Sequence, residues 1–455
     1  MTMKNDPIVA RASSAGKGGI GVVRISGAAS DIDAIEKALH ARELLAERRA
    51  TLRSIRDSKG ELIDRVIFIR FRAPASYTGE DVLEIQAHGG PAVQGLIIGR
   101  CLEVGQSAGL RLARPGEFTE RAFLNNKIDL TQAEAIADLI EATSEKSARA
   151  AARSMKGEFS ERVNSLNSSV IEFRAQIEAI LDFPEEEIDF LENAGIRKGI
   201  SKLIEDIASV QKAATRGKVL RDGLSVVLAG APNVGKSSLM NALAGDNVAI
   251  VTDIAGTTRD RIEYEISLDG LPVKLIDTAG LRETEDPIER IGIDRTLEAI
   301  ERADVVLRLT EAADPSALAS DVAYRMASRH LRAGVVILDV INKADLARPE
   351  HSGKDTYVIS AITREGIDAL CEKLKSIAGV ADGNEGEFMA RSRHLACLAR
   401  SKEHARNALN GLDGMPLEVV AEELRLCSHA LGEIVGQTLA DDLLGMIFSK
   451  FCIGK

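Results

Sequence analysis

The chain has 455 residues, more than one ordinary hydrophobic core organises, so we expect two to four domains. Hydrophobic residues make up 45% of it and charged residues 28%, as in soluble globular proteins. The net charge is −11, and a chain this acidic is not expected to grip nucleic acid with its whole surface.

Neither the apolar runs nor the cysteines indicate export or a membrane. No run approaches the ~18 apolar residues that span a bilayer, and the start "MTMKNDPIVA" lacks the apolar centre of a secretory leader. The five cysteines contain no CxxC pair and are odd in number, which argues against a disulfide framework and a zinc site. We therefore expect a cytoplasmic protein without a membrane segment.

Four stretches that differ in composition and periodicity follow one another along the chain. Residues 1–127 alternate β-rich runs such as "GIGVVRIS" with Gly/Pro turns, which predicts an α+β domain. Residues 128–220 are rich in Ala, Leu, Glu and Arg at helical spacing. Residues 221–380 alternate apolar strands with helical stretches, the pattern of a doubly wound parallel sheet. Residues 381–455 are helical again.

The two helical stretches are similar in composition, and neither is large enough for a comfortable core of its own. We therefore expect them to form one discontinuous helical domain, with the α/β domain inserted between them. The acidic run "DFPEEEIDF" at 182–190 is predicted to be a solvated junction between helices.

The strongest local pattern is "GAPNVGKSS" at 230–238, which matches G-x-x-x-x-G-K-[ST] between a predicted strand and a predicted helix. Gly230 and Gly235 let backbone N–H groups close around phosphates at the positive end of a helix. Lys236 brings a charge to the outer phosphates, and the Ser237 hydroxyl can ligate Mg²⁺. The predicted nucleotide contacts in this loop are Asn233, Val234, Gly235, Lys236, Ser237 and Ser238.

A second group of motifs selects the base. In "NKAD" (342–345), the Asp345 carboxylate can accept hydrogen bonds from guanine N1–H and the 2-amino group, and adenine offers neither donor. "SAI" (360–362) would support the base, and "DTAG" (277–280) would sense the γ-phosphate. These motifs predict a GTP-binding domain. The predicted contacts are Asp277, Thr278, Ala279, Gly280, Asn342, Lys343, Ala344, Asp345, Ser360, Ala361 and Ile362.

Hydrolysis needs a group that the usual position does not supply. Ras-like switches carry a water-orienting Gln directly after "DTAG", but here that position is Leu281. Asn233 and the carbonyls of "VTDIAGTTRD" (251–260) could instead cage K⁺, which would neutralise charge that develops in the transition state. Glu289 is a candidate to orient water, and the alternative for it is an exposed helix carboxylate. Predicted nucleotide contacts in this segment are Thr252, Asp253, Ile254, Ala255, Gly256, Thr257 and Thr258.

The end of the chain, "FSKFCIGK", places a thiol at Cys452. A prenylation box is disfavoured, because Gly454 is not aliphatic and Lys455 is not a usual last residue for one. Two interpretations remain open: a buried apolar thiol, and a functional site that the chain terminus completes.

Taken together, "GAPNVGKSSLMNAL", "TDIAGTTRD", "DTAGLRETEDPIERIGI", "NKAD" and "FCIGK" resemble the MnmE (TrmE) family of tRNA modification GTPases, in the TrmE-Era-EngA-like superfamily. The blocks "SYTGEDVLEIQAHGGP" and "RPGEFTERAFLNNKIDLTQAEAIADLI" extend the resemblance over the whole chain. It implies an N-terminal tetrahydrofolate-binding and dimerisation domain, a discontinuous helical domain and an inserted G domain. As a departure, "LRLTEA" (307–312) lacks the customary Asp after its strand.

The resemblance also implies a reaction and its partners. A homodimer would assemble with the FAD-containing partner MnmG (GidA) into a heterotetramer. Together they would attach an aminomethyl or carboxymethylaminomethyl group to C5 of the wobble uridine of certain tRNAs. The one-carbon unit would come from 5-formyl- or 5,10-methylene-tetrahydrofolate, and GTP hydrolysis would drive a conformational cycle.

Roles follow for particular residues of this sequence. The resemblance implies K⁺ ligation by Asn233, Thr252, Ile254 and Thr257, Mg²⁺ ligation by Ser237 and Thr258, water orientation by Glu289, and folate binding by Arg24, Glu84, Lys127 and Lys455. Cys452 would lie near the one-carbon donor, as a nucleophile, an acid or a positioning group.

Other functions are less consistent with the chain. "GKGGIG" (16–21) satisfies G-x-G-x-x-G but precedes a predicted strand instead of a helix, which argues against a dinucleotide site. The alternative function is an RNA-binding ribosome-assembly GTPase, which would need a basic module such as a KH domain. A membrane-remodelling GTPase would need an anchor. The acidic balance and the terminal thiol favour tRNA modification.

Overall fold

The computed structural model describes residues 6–14, 16–40, 43–182, 195–231, 233–244, 263–277, 297–298, 300–311, 328–332, 335–347, 356–379, 388–437, 441–449, 451 and 454. By its internal contacts the chain divides into two compact units, residues 1–137 with 428–455 (unit 1) and residues 138–427 (unit 2).

Unit 1 contains a six-stranded sheet in the order β3-β4-β5-β2-β1-β6. Its strands are β1 Ile8–Arg11, β2 Ile20–Gly27, β3 Thr51–Arg56, β4 Leu62–Phe71, β5 Asp81–His88 and β6 Arg111–Leu112. Neighbouring strands are antiparallel except β1 and β6, which run parallel. Alternation in β2 and β5 buries one set of side chains, including Val23 and Leu83, and turns Arg24 and Glu84 to the opposite face.

Helices α1 Ala29–His40 and α2 Pro91–Val104 supply the apolar residues that cover the buried face of this sheet, and α3 Glu117–Leu124 follows β6. Ile32 and Ile35 of α1 and Ile97 of α2 share one buried cluster with the strand residues. A second cluster of unit 1 joins Leu130 and Ala133, in α4 Leu130–Glu141, to residues near the end of the chain.

In unit 2, helices precede and follow the α/β part in the sequence. They are α5 Glu145–Lys156, α6 Glu158–Asp182, α7 Ile196–Asp222, α10 Ser392–Gly411 and α11 Leu417–Val435; α12 Asp441–Phe448 lies beyond them, in unit 1. Helix α7, before the α/β part, packs along α10, which follows it. The helical domain is therefore discontinuous, as predicted. The acidic run 182–190 lies outside the described residues apart from its first residue, Asp182.

The α/β part of unit 2 holds a second six-stranded sheet in the order β12-β11-β10-β7-β9-β8. Its strands are β7 Leu224–Gly230, β8 Glu263–Leu268, β9 Leu271–Asp277, β10 Val305–Glu311, β11 Val336–Asn342 and β12 Thr356–Val358, with helices α8 Lys236–Ala244 and α9 Ile367–Ile377. Strand β7 is almost continuously buried, as expected of a central parallel strand between two covered faces.

The predicted parallel sheet is confirmed with one difference. Strands β8 and β9 pair antiparallel, and the other neighbouring strands of this sheet are parallel. Only Asp269 and Gly270 connect the two strands, and both have positive φ, of 49° and 85°. A two-residue connection of this kind closes a hairpin and cannot cross over to a parallel strand.

One carboxylate ties together the two places where the chain enters and leaves the α/β part. Asp138, at the end of α4, accepts hydrogen bonds of 2.8 Å from both Arg221 and Arg391. Arg221 lies in the last turn of α7, before the entry, and Arg391 caps α10, after the exit. Asp138 is buried, so the pairs are shielded from water and restrain both crossings.

Candidate functional site

The phosphate-binding motif lies where its pattern predicts, between β7 and the first turn of α8. Lys236 is buried, and its ammonium donates to the main-chain carbonyls of Gly230 at 2.6 Å and Ala231 at 3.1 Å. Ser237 and Ser238 are exposed at the start of α8, where backbone N–H groups and the helix dipole favour anions. The loop thus brings an ammonium, hydroxyls and a helix N-terminus to one place.

Asn342 fastens this loop to the two motifs predicted to hold the base. Its side-chain amide donates to the carbonyl of Val234 at 2.9 Å, and its amide oxygen accepts from the N–H of Ala361 at 3.1 Å. Gly235 makes the close approach possible, because a Cβ atom there would lie 2.3 Å from Asn342 Nδ2 and its φ is 96°. One buried side chain therefore joins "GAPNVGKSS", "NKAD" and "SAI".

Asp345, the predicted guanine acceptor, is oriented by a buried serine. Ser360 Oγ donates to Asp345 Oδ1 at 2.6 Å and accepts from the N–H of Thr363 at 3.1 Å. Ala344 is buried, and its N–H bonds the carbonyl of Ile359, whereas Ile362 is largely exposed. The carboxylate therefore presents a fixed edge, as recognition of a planar base requires.

Lys343 makes a contact that the sequence did not predict. Its φ is 65°, and its ammonium pairs with the carboxylate of Glu311 at the end of β10. Glu311 occupies the strand end where the family resemblance would have supplied Asp. That departure was the one indication in the sequence, but the pair itself depends on the register that sets Glu311 opposite Asn342.

The motifs converge because parallel strands present their carboxyl ends at one edge of the sheet. Gly230 ends β7, Asp277 ends β9, and Asn342 ends β11. Leu228 of β7 pairs with Asp277, and Leu309 of β10 pairs with Gly230, so these ends lie side by side. Ser360 lies just past β12 on the same side of the sheet. This edge is the candidate nucleotide site.

Several predicted residues of this site lie outside the described part of the chain. They are Thr252, Asp253, Ile254, Ala255, Gly256, Thr257, Thr258, Thr278, Ala279, Gly280 and Glu289, together with Leu281. Of the four predicted K⁺ ligands, the structure describes Asn233, which is exposed and has a φ of 65°. The predicted cation cage and the predicted water-orienting carboxylate therefore stay predictions.

In unit 1 the structure brings two of the predicted folate residues together. Arg24 and Glu84 stand directly opposite each other on β2 and β5, and Arg24 Nε donates to Glu84 Oε1 at 2.9 Å. The guanidinium lies over the Tyr77 ring at 5.2 Å and the Phe118 ring at 5.8 Å. A partly exposed cation, a carboxylate and two aromatic rings are groups that can bind a flat heterocycle with polar edges.

The positions of Tyr77 and Phe118 beneath Arg24 were not predicted from the sequence. Tyr77 lies in the quoted block "SYTGEDVLEIQ", and its hydroxyl lies 2.8 Å from Thr119 Oγ1. Burial raises the pKa of Tyr77, so the ring stays neutral beneath Arg24. An aromatic residue in a quoted motif could have been singled out, but its place under an arginine follows only from the fold.

The other two predicted folate residues are differently placed. Lys127 Nζ donates to the carbonyl of Pro74 at 2.9 Å, and its stem lies beside Gly79. It thus borders the loop that carries Tyr77, and no contact joins it to Arg24 or Glu84 among the described hydrogen bonds and ion pairs. Lys455 lies outside the described residues.

A tightly bonded carboxylate supports this part of unit 1. Arg111 bonds both oxygens of Glu117, at 2.6 and 2.9 Å, and the N–H of Arg114 and the side chain of Arg121 add further bonds. Burial acts to raise the pKa of Glu117, but the hydrogen bonds and charges of the arginines outweigh it and lower that pKa to about 2. Glu117 is therefore ionised throughout the physiological range.

The end of the chain is anchored in unit 1. Phe448 and Phe451 are buried in a cluster with Leu130 and Ala133, and Gly454 packs against the main chain of Arg11. These two phenylalanines of "FSKFCIGK" therefore anchor the chain end. Cys452, Ile453 and Lys455 lie outside the described residues, so the two interpretations of the thiol stay open.

The described residues contain neither a membrane-spanning helix nor a cluster of metal-binding side chains. No helix among them is long and apolar enough to cross a membrane. In the same part of the chain, no group of three or more His, Cys, Asp or Glu side chains is arranged to hold a metal ion.

Two family profiles together match nearly the whole chain. The family profile described as "GTP-binding protein TrmE N-terminus" matches residues 7–127, and that described as "MnmE helical domain" matches residues 130–452. The G domain of the T. maritima FeoB iron transporter is matched over 34% of this chain and 98% of that chain, at 25% identity and a TM-score of 0.25, too low to support an argument.

Curated relatives match over their full length. A protein of Cupriavidus metallidurans is 50% identical over 100% of both chains, and one of Ralstonia nicotianae is 52% identical over 99% of this chain and 96% of its own. A protein of Bordetella parapertussis is 51% identical over 99% of both. Each of the three is named tRNA modification GTPase MnmE.

Proposed function

Because the chain belongs to the MnmE family, we propose that it hydrolyses GTP and that this hydrolysis drives modification of C5 of the wobble uridine in certain tRNAs. The observation that carries the proposal is the nucleotide site at the strand ends of unit 2. There one buried residue, Asn342, links the phosphate-binding loop to both base-binding motifs. The near full-length relatives named for tRNA modification supply the rest of the support.

The proposal assigns one task to each part of the chain. Residues 1–127 form the folate-binding and dimerisation domain, and residues 221–380 form the G domain. Residues 128–220 and 381–455 form the helical domain, and the second of them carries the "FCIGK" motif.

GTP binding follows from the chemistry of the site. Lys236 exchanges its bonds to the Gly230 and Ala231 carbonyls for bonds to phosphate oxygens, which are stronger acceptors because they are charged. Asp345, held by Ser360, accepts from guanine N1–H and the 2-amino group. Ser237 and Thr258 hold Mg²⁺, and the exposed Ser237 hydroxyl at the start of α8 is an oxygen ligand of the type this ion prefers.

Hydrolysis uses a cation in place of a catalytic Gln. Asn233, Thr252, Ile254 and Thr257 hold K⁺, and Glu289 orients the attacking water. Bound there, K⁺ offsets the negative charge that develops between the phosphates. Asn233 supports the assignment, because it is exposed within the loop and its amide oxygen suits a monovalent cation.

The one-carbon chemistry belongs to unit 1 and a partner. Arg24, Glu84, Lys127 and Lys455 bind 5-formyl- or 5,10-methylene-tetrahydrofolate, with Cys452 beside the one-carbon unit. The Arg24–Glu84 pair over Tyr77 and Phe118 supports a site for a flat polar ring. The chain acts in the cytoplasm as a homodimer that assembles with the FAD-containing MnmG (GidA) into a heterotetramer, and tRNA is the substrate of the complex.

The GTPase part is tested by turnover in matched KCl and NaCl with Mg²⁺ present. A cage sized for K⁺ leaves the smaller Na⁺ poorly coordinated, so we expect turnover at least about tenfold faster in KCl, a difference of one or more kcal/mol in the barrier. Equal rates in the two salts would exclude the cation cage.

The tRNA part is tested by nucleoside analysis of bulk tRNA from a deletion strain. We expect the modified wobble uridine to disappear and to return when the intact gene is supplied. Unchanged nucleosides accompanied by a ribosome-assembly defect would favour the alternative, an RNA-binding GTPase of ribosome assembly.

A further inference from the structure

The hairpin β8–β9 lies in the chain between two segments that are predicted to contact the nucleotide. It follows the segment 251–260, which is predicted to be a switch that cages K⁺, and it ends at Asp277, the first residue of the predicted γ-phosphate sensor "DTAG". Both predicted switch segments are therefore covalent extensions of one hairpin. Strands β8 and β9 are therefore the covalent path from these segments to the turn at Asp269 and Gly270.

The hairpin turn is bound directly to the helical part of unit 2. Ser144 Oγ donates to the carbonyl of Gly270 at 2.7 Å. The stem of Lys146 lies so close that a Cβ atom on Gly270 would be 2.9 Å from Lys146 Cγ. Leu268 and Leu271, on either side of the turn, share a buried cluster with Ala150 and Ala151 of α5. The turn is thus held by a hydrogen bond, close packing and apolar burial.

Ser144 also caps a helix, so the bond to Gly270 connects the hairpin turn to the start of that helix. It is the N-cap of α5, and its Oγ accepts from the N–H of Ser147 at 3.1 Å. Ser147 Oγ in turn donates to the carbonyl of Leu220, in the last turn of α7. A displacement of Gly270 therefore reaches the first turn of α5 and the end of α7 through two serines, close to the crossing that Asp138 restrains.

An open cavity lies beside the contact. A cavity of about 440 Å³ lies along the hairpin stem, lined by Thr143, Glu265, Ser267 and Lys274 among others. The turn also stays fixed to the G domain itself, because Lys375 of α9 bonds Asp269 at 2.7 Å. The stem therefore borders a cavity on this side, and its turn is hydrogen-bonded both to Ser144 and to Lys375.

From these contacts we infer that Ser144 is a positioning residue that couples the nucleotide state of the G domain to helix α5 through the carbonyl of Gly270. The inference rests on the proposed GTPase function. Capping needs only an acceptor, whereas the bond to Gly270 uses the hydroxyl proton, for which Ser147 Oγ at 2.9 Å is the other acceptor.

Two substitutions separate coupling from capping. Ser144→Asp keeps an N-cap acceptor but has no proton to donate and sets a carboxylate against the Gly270 carbonyl. Ser144→Thr keeps both the cap and the donor. Ser144→Gly, which caps almost as well as serine, removes the hydroxyl without adding charge and serves if the Asp variant does not fold. If Ser144 only caps α5, all three variants should behave alike.

The measurement is amide hydrogen exchange of the full chain, saturated with GDP or with a non-hydrolysable GTP analogue. In the wild type and Ser144→Thr, we expect exchange in 145–149 and 266–271 to differ between the nucleotides by about fivefold, the weight of one hydrogen bond. In Ser144→Asp and Ser144→Gly the difference should fall below about twofold, while both variants still bind GDP and the GTP analogue, with a ratio of the two affinities that shifts by no more than about fivefold, because coupling between two sites is reciprocal.

The outcomes distinguish the inference from the function on which it rests. A wild type that does not bind guanine nucleotides contradicts the proposed function. A wild type that binds and hydrolyses GTP but shows no nucleotide-dependent exchange in these segments overturns the coupling alone. Ser144→Asp or Ser144→Gly with the full wild-type difference overturns it as well.

Discussion

Asp345 illustrates how one residue fixes the choice of base. Its carboxylate is held by Ser360, so replacing it with an amide changes the hydrogen-bonding pattern without freeing the side chain. In Asp345→Asn the amide group would face guanine's donors with a donor of its own, and we expect GTP affinity to fall roughly 10²-fold. Xanthine carries a carbonyl in place of the 2-amino group, so XTP should bind the variant better than GTP. Competition against a fluorescent GDP derivative measures both affinities, and an unchanged preference for GTP would contradict the assignment.

Glu117 makes a pH-dependent contribution to the stability of unit 1. Its pKa in the folded protein is about 2, against an ordinary value of 4.5. A depressed carboxyl pKa stabilises the fold above pH 4.5, and that stabilisation is lost as the pH falls from 4.5 towards 2. We expect Glu117→Gln to lower the free energy of unfolding by about 3 kcal/mol at pH 7. The deficit relative to wild type should shrink steadily below pH 4.5.

The neighbouring Glu120 is a matched control for this experiment. Burial raises the pKa of Glu120, so its ionised form is not stabilised by folding, and Glu120→Gln should cause no comparable loss at pH 7. Hydrogen exchange of β2 and β5 amides in increasing urea reports on unit 1 in the full chain. A constant deficit for Glu117→Gln from pH 7 to pH 3 would rule out the ionised carboxylate as its cause.

Among the elements, the phosphate-binding loop depends on one residue without a side chain. In Gly235→Ala the new methyl group would lie 2.3 Å from Asn342 Nδ2, so the bond from Asn342 to Val234 must break or the loop must move. Because φ at this position is 96°, the backbone would be strained as well. We expect affinity for GTP and GDP to fall about 10²-fold with the fold retained, as seen in a fluorescent-nucleotide titration.

Gly99 provides the control for that substitution. It lies in α2, where an added methyl group would meet nothing within 4 Å, so Gly99→Ala should leave nucleotide binding unchanged. If Gly235→Ala bound GTP as tightly as the wild type, the close packing of the loop against Asn342 would not matter for function.

The elements that could be predicted from sequence are those with a strong period or motif. The β-rich run "GIGVVRIS" predicted β2, and the alternation of apolar strands with helical stretches over 221–380 predicted the parallel sheet in which β7 is buried. The antiparallel hairpin was missed, although Asp269-Gly270 between two apolar runs is a recognised hairpin signal. The local pattern was present, but the alternation of strands and helices around it favoured a purely parallel sheet.

Pairs of side chains were harder to predict than the elements that carry them. Arg24 and Glu84 were both predicted as ligands, but their direct pairing follows from the register of β2 and β5. Glu311 with Lys343 and Ser144 with Gly270 likewise join residues far apart in the chain. Such contacts are set by tertiary packing, and neither periodicity nor motif spacing contains them.

For the whole molecule, the resemblance to the MnmE family is confirmed by relatives that match from end to end. The discontinuous helical domain was also predicted, because helices on both sides of the α/β part had similar composition. The role that the resemblance implied for Lys455 in the folate site already pointed to a contact of the chain end with the N-terminal domain, but the extent of the contact, residues 428–455 with 1–137, did not follow from the sequence. The helical periodicity of these residues shows which face of the helix is apolar, but it does not show which part of the protein packs against that face.

The anchored chain end leads to a prediction for the complete reaction. Phe448 and Phe451 are buried, so a substitution between them and the terminus should leave the fold intact. Cys452→Ser nearly preserves volume and removes most thiol chemistry. We expect it to hydrolyse GTP normally and to leave wobble-uridine modification in a deletion strain at about a hundredth of the wild-type level or lower, as for loss of a nucleophile.

Cys371 supplies the comparison for that variant. It is a partly exposed cysteine of α9, and Cys371→Ser should restore modification fully. If Cys452→Ser restored the modified nucleoside as well, the thiol would be a packing residue only.

The division of unit 1 between distant parts of the chain has a consequence for its synthesis. The 290 residues from 138 to 427 are made after the first part of unit 1 and before its second part. At ~5–20 residues per second, the ribosome needs roughly 15–60 s to translate them. During that interval Leu130 and Ala133 lack the phenylalanines that later cover them. Because transiently exposed apolar surface favours aggregation, we expect chaperones to bind the nascent chain in the interval before residues 448–451 have left the ribosome.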